Sequence, residues 1–345
     1  MAETIDKELT ASDSKMIQGM AVVAMLCLHL FDRHDYQGLF SPLLFIGEYP
    51  LSFYIGQLSD FCVMGFAFCS GYAHMKLFRL NSDYYPKRLQ SLLKLFIQYW
   101  IVIIAFSLVS VAMGEAERMP GSLSNALGNL FVYHITYCGA WWYMYAYAVL
   151  VLFSPILLRI IKEKNSVIVL VFCFAVYCAA YYVRFNIKTT DLFLSKVGPF
   201  GMTLFEYVLG SVYYKESCFS KEFCIWKRIN RWGRIVLSCS IVVILLLVRT
   251  LIFPSLFFAP ASGIALMTLF HFWKKPQVIR KAFLFIGSHS TNIWLTHMFF
   301  YLYMFKNLVY LARYPLCILG FMLVITIITS VFLQLVQKPA TKWIR

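Results

Sequence analysis

Long apolar stretches, separated by short polar or charged breaks, recur from one end of this chain to the other. A helix needs about 20 mostly apolar residues to cross a bilayer at a rise of 1.5 Å per residue. Ten stretches approach that length: 14–35, 51–75, 91–113, 140–161, 165–185, 198–214, 233–253, 255–273, 282–305 and 315–337. In lipid every backbone polar group must be bonded within its own segment, so such runs are helices. The chain is therefore predicted to be an all-α integral membrane protein of about ten transmembrane helices, forming a single membrane domain over 1–345. Composition agrees, with 61% hydrophobic and 14% charged residues, against roughly 45–50% and about 25% in soluble domains. The first run, Met16 to Phe31, follows a mixed-charge start with no basic leader or small-residue cleavage site, and is read as an uncleaved span.

The formal net charge of +15 would suggest nucleic acid in a soluble protein. Here it reports topology, and no nucleic-acid partner is expected. With a cytoplasmic N-terminus, 23 of the basic residues fall in inner segments and eight in outer ones, the outer set including Arg184, Lys188 and Arg249. That asymmetry is a positive-inside signal and places both termini in the cytoplasm of a multi-pass cell-membrane protein. Ten cysteines occur, mostly inside apolar runs and with no CxxC pair, so neither a disulfide framework nor a metal site is expected.

Ionisable groups inside a span are costly and mark function by default. Four stand out: His29, Asp60, Glu206 and His297. His29 lies about 21 Å beyond Lys15 along the first helix, past the midplane, at a depth Asp60 and His297 can share. Gln18 precedes His29 by eleven residues, about three turns, so Lys15, Gln18 and His29 share one helix face. Such a stripe suits a tunnel admitting a long, phosphate-bearing molecule from the cytoplasm. A transporter or flippase also uses intramembrane His and acids, but no paired broken helices recur as inverted repeats. A sensor or assembly partner without chemistry leaves His29, Asp60 and His297 unexplained.

Several segments carry a resemblance. Ile17-Gln18-Gly19-Met20-Ala21 through Leu28-His29-Leu30-Phe31 resembles the first helix of the acyltransferase-3 membrane family. Phe66 to Tyr72, Lys87-Arg88, Trp142-Tyr143-Met144 through Pro155, and Ile286-Gly287-Ser288-His289 through His297 are similar to later family segments, in order along the chain. The resemblance implies an acetyl-CoA-dependent O-acyltransferase, moving an acyl group from the cytoplasm to a hydroxyl of a glycan or small-molecule acceptor at or beyond the outer face. The family commonly has Arg or Lys eleven residues before its first-helix His. This chain has Gln18 there, and Lys15 is the candidate replacement. Many relatives add an extracytoplasmic esterase-like domain; none is read after the tenth span, so the membrane domain is expected to complete the reaction.

Acyl transfer from a thioester needs a base for the acceptor and a donor to the developing oxyanion. His29 is the expected base, oriented by Asp60, with His297 holding the acceptor or moving a proton; a transient acyl-His29 stays open. Lys15, Gln18, Ser70, Tyr72, Lys87 and Arg88 are expected to hold the donor. Trp142, Tyr143, Glu206 and Trp294 are expected at the substrate site. Loop 114–139, with Glu115, Glu117, Arg118, His134 and Tyr137, is the longest outer segment and a candidate for acceptor choice. The identity of the acceptor and the oligomeric state stay open.

Overall fold

The computed structural model describes residues 8–80, 82–187, 191–252 and 256–344. Lys7, Lys188 and Arg345, counted above among the cations, lie outside the described residues. The helices are α1 (Ala11–Phe31), α2 (Leu51–Leu58), α3 (Cys62–Leu80), α4 (Tyr84–Ala112), α5 (Leu123–Leu130), α6 (Trp142–Glu163) and α7 (Ser166–Asn186). They continue with α8 (Leu194–Lys215), α9 (Cys218–Arg228), α10 (Arg231–Leu247), α11 (Ala259–Phe272), α12 (Gln277–Met298), α13 (Lys306–Tyr310) and α14 (Pro315–Thr341). A two-stranded antiparallel hairpin, β1 (Phe45–Ile46) and β2 (Tyr49–Pro50), precedes α2.

Helix occupies every one of the ten predicted intervals. Among the described residues seven helical segments are long and apolar enough to cross a membrane. Of the other three, α11 has only 14 residues, whereas α8 and α12 have 22 each, or about 33 Å of rise. Their sequences are less apolar because of where they sit. α8 packs along α3 and α7, and α12 along α1 and α14. Both bury polar side chains, among them Thr203, Glu206 and Ser211 on α8 and His289, Asn292, Thr296 and His297 on α12. A helix facing protein need not satisfy lipid. The segment led by α10 shows the reverse: 11% of its apolar window is buried, against 61% for α1.

Local chemistry starts α1 with a capping box. Thr10 Oγ accepts from the Asp13 amide at 3.1 Å, and the Asp13 carboxylate accepts from the Thr10 amide at 3.0 Å. The helix then meets α12 at paired glycines. A Cβ on Gly19 would stand 2.4 Å from the Phe283 carbonyl oxygen, and one on Gly287 would stand 2.0 Å from that of Lys15. The backbones touch because neither residue has a side chain, the close approach that small residues permit between membrane helices. α3 and α8 repeat the device, with Gly71 against Tyr207 and Gly210 against Phe68. Ten residues beyond the first glycine pair stand His29 and His297, so this contact sets two parallel helices in register and brings both imidazoles to one level.

Gly287→Ala is expected to lower stability by about 1–3 kcal/mol, because the added methyl meets backbone that cannot move aside. Gly320→Ala on α14, where a Cβ meets nothing within 4 Å, should be neutral or stabilising by about 0.5–1 kcal/mol. Thermal unfolding of the two purified variants checks this; equal effects would remove the packing role assigned to Gly287.

Candidate active site

The register of α1 against α12 places His29 on the wall of an internal chamber of about 410 Å³, within the usual size range of small-ligand sites. Its polar groups come from several elements: Asp60 from the turn before α3, Lys94 and Gln98 from α4, Tyr143 and Tyr147 from α6, and Arg184 from α7. Trp142 and Trp294 supply flat aromatic wall, and Ser70, Ser290 and Thr291 add hydroxyls. Reciprocal indole bonds hold α6 to α12: Trp294 Nε1 donates to the Ala140 carbonyl and Trp141 Nε1 to that of Leu295, each at 3.0 Å.

The two histidines differ in exposure. His29 is partly open to the chamber, whereas His297 is fully buried beside it with ring centroids 5.0 Å apart. Tyr301 lies against both rings, at 5.8 and 5.9 Å. His297 Nδ1 is 2.8 Å from the Trp294 carbonyl oxygen. A carbonyl only accepts, so Nδ1 carries the hydrogen and Nε2 of the neutral ring carries the lone pair. That Nε2 is buried and bonds no group among the described residues.

A second, polar cavity of about 590 Å³ opens between the start of α1 and the end of α14. Lys15 and Lys338 stand on it, with His289, Asn292 and Gln334. Asn292 and Gln337 exchange two amide hydrogen bonds of 2.9 Å, and His289 Nδ1 lies 2.8 Å from Ser330 Oγ, tying α12 to α14. Gln98 and Thr291 line both this vestibule and the chamber. A polar, cation-bearing cavity thus adjoins a mainly apolar chamber that has His29 on its wall.

Asp60 departs from its expected role. Its carboxylate oxygen accepts from Arg249 Nε at 2.9 Å, with both residues buried, and it makes no hydrogen bond to His29. A buried carboxylate is stabilised far better by a guanidinium than by a neutral imidazole, so the pair forms where both charges would otherwise be stranded. Tyr72 also lies elsewhere. Its hydroxyl donates to the Glu8 carboxylate and accepts from the Leu9 amide, fastening the segment before α1, and it lines neither cavity. Gln18 accepts from Lys15 Nζ at 3.4 Å without lining either cavity. Lys87 is exposed, and Arg88 lies among His74, Tyr84, Tyr147 and Tyr207, away from the vestibule. Glu206 is buried behind the wall, within Coulombic reach of Arg184, whose guanidinium stacks 5.1 Å from the Trp142 ring. Glu115, Glu117, Arg118, His134 and Tyr137 do not line the chamber.

Two chamber cations, Arg184 and Lys94, were missed as site residues, as was Arg249, the partner of Asp60. Arg184, Arg249 and Lys94 all fall inside the predicted spans 165–185, 233–253 and 91–113. The cost of charge in lipid was the signal, but counting the two arginines as outer-loop charge hid it.

The family model for the acyltransferase domain matches residues 14–335. The chain belongs to that family. The match covers α1 through most of α14 and includes every chamber residue named above. No curated protein and no solved structure matches the chain. Family and apolar helices together make it a membrane acyltransferase.

Removing one member of the Asp60–Arg249 pair strands the other, so Arg249→Met is expected to destabilise by about 3–5 kcal/mol. The double change Asp60→Leu with Arg249→Met should recover most of that loss. Unfolding midpoints of the three proteins in one detergent decide it; an additive double mutant would mean the two side chains are not coupled.

Proposed function

We propose that this acyltransferase takes an acetyl group from acetyl-CoA at the cytoplasmic face and transfers it to a hydroxyl of a glycan presented from the membrane or beyond it. The observation that carries the reading is that the vestibule bearing Lys15 and Lys338 adjoins the chamber holding His29, with Gln98 and Thr291 lining both. The accompanying topology is ten spans with both termini cytoplasmic, which puts that vestibule on the side where acyl-CoA is found.

The donor set fits the donor. Two lysines and a rim of amides suit phosphates and an adenine ring, and a narrower apolar passage suits an extended thiol arm. Lys15 and Lys338 hold the phosphates, and Gln98 and Thr291 stand at the neck. Trp142 and Trp294 give the acceptor flat faces, with Arg184 and Tyr143 as hydrogen-bond donors beside them.

His29 is the general base. The His297 ring packs against it with centroids 5.0 Å apart and holds the His29 imidazole in place by contact. His297 thereby takes the orienting role an acid plays in hydrolase triads. The acceptor hydroxyl gives its proton to His29 as its oxygen attacks the thioester carbonyl. The C–S bond breaks, and protonated His29 returns the proton to the leaving sulfur. Tyr143 is the candidate hydroxyl donor to the oxyanion.

With purified protein, acetyl-CoA and candidate glycans, release of free CoA should fall about 10²- to 10⁴-fold in His29→Ala. His297→Ala should lower kcat and alter its pH profile. Lys15→Ala with Lys338→Ala should raise KM for acetyl-CoA while leaving kcat near the parent value. Parent-like turnover in His29→Ala would end the base assignment, and solute movement independent of CoA would favour a transporter.

A further inference from the structure

The largest of the three cavities described here takes no part in this chemistry. It holds about 1070 Å³ and lies between α1, α10, α11 and the start of α12. Its walls are mainly apolar, with Met20 and Val23 on α1, Val242 on α10, Leu266 and Leu269 on α11, and Phe283 on α12. The outer wall is α10, the most lipid-exposed of the seven long apolar segments. The cavity is therefore a cleft in the side of the bundle that meets the bilayer.

Its two ends differ. One end carries Arg231, Arg234 and Lys274, framed by Trp226 and Trp273, and among the described residues no acidic side chain lines the cavity. The other reaches Ser59 and Phe61, the two neighbours of Asp60. From Arg231 to Val242 is eleven residues, about 16 Å of helix rise into the membrane. Arg234 is already committed. Its Nε donates to the carbonyls of Ile229 at 2.8 Å and Trp226 at 3.2 Å, binding the end of α9 to α10. That leaves Arg231 and Lys274 exposed at the mouth, on either side of the cleft.

The positive-inside bias explains cations at these helix ends. It does not explain why they converge from two elements on the mouth of one apolar cleft. Water has few polar partners along such walls, and lipid tails lie immediately beside them. A chain with an anionic head satisfies both parts, as basic pockets between membrane helices bind phosphate head groups. We propose that this cleft is a binding site for one anionic phospholipid of the inner leaflet, its phosphate held by Arg231 and Lys274 and one acyl chain lying between α1 and α10. The indoles of Trp226 and Trp273 sit at head-group level, where such rings are favoured. The acyl chain fills the gap that separates α10 from the bundle and packs beside Cys27, two residues from His29. The site is independent of the acyl-transfer reading, since it concerns lipid retention alone.

The test is native mass spectrometry of the whole protein in detergent, titrated with phosphatidylglycerol or with phosphatidylcholine of the same chains. The parent protein should retain one phosphatidylglycerol in clear preference to phosphatidylcholine. Arg231→Gln with Lys274→Gln, both exposed positions that leave the core intact, should weaken phosphatidylglycerol binding about 30-fold. Ser238→Trp, which fills the cleft from α10 without changing charge, should exclude both lipids. Equal retention of the two lipids, or unchanged phosphatidylglycerol binding in the double variant, would overturn the proposal. So would displacement by glycerol phosphate as effective as by phosphatidylglycerol itself, which would make this a soluble-phosphate site.

Discussion

The contact between Gly19 and Gly287 sets the geometry on which the site depends. Two parallel helices whose backbones touch have no freedom to slide, because each glycine sits against the other helix's main chain. His29 and His297, each ten residues further on, are thereby held at one depth with their rings 5.0 Å apart. The same register aligns Lys15 with the end of α14 that carries Lys338, where the polar vestibule opens. One backbone contact between α1 and α12 thus positions residues of both the polar cavity and the chamber.

Around that axis the protein inverts the usual distribution of polarity. The polar-bearing helices α8 and α12 are inside, and the segment led by α10 is the most outward-facing of the seven long apolar ones. Buried charge is tolerated because it is matched, as in the Asp60–Arg249 pair, or set beside an opposite charge, as Glu206 is beside Arg184. Desolvation makes each such group costly alone, so the interior polar residues are organised in networks rather than scattered. The amide exchange between Asn292 and Gln337 and the bond from His289 to Ser330 serve the same end, closing α12 against α14.

Much of the fold was legible. Helix stands at all ten predicted positions because run length and the need for internal backbone bonding leave little choice. Hydropathy alone selects seven of them, since α8 and α12 carry polar residues into the interior and α11 is short. His29 and Asp60 were found on the chamber wall, and His297 behind it, by the cost of placing ionisable groups in lipid. Their partners were not. Arg249 comes to Asp60 from 189 residues away, a separation at which spacing along one helix carries no information. Tyr72 was misplaced for a related reason: its position beside Ser70 is local, but the partner of its hydroxyl, Glu8, is chosen by packing.

Run length, charge asymmetry and a few intramembrane polar residues were thus enough, in the sequence alone, to establish an all-α membrane chain and to single out His29, because each rests on the solvent a segment must meet. Tertiary structure decided who faces whom. It set His297 rather than Asp60 against the His29 ring, gave Asp60 to Arg249, placed the vestibule beside the chamber with Gln98 and Thr291 lining both, and opened the basic-mouthed cleft beside α10. These are contacts between elements distant in sequence, and they follow from how the helices pack against one another rather than from any pattern within one helix.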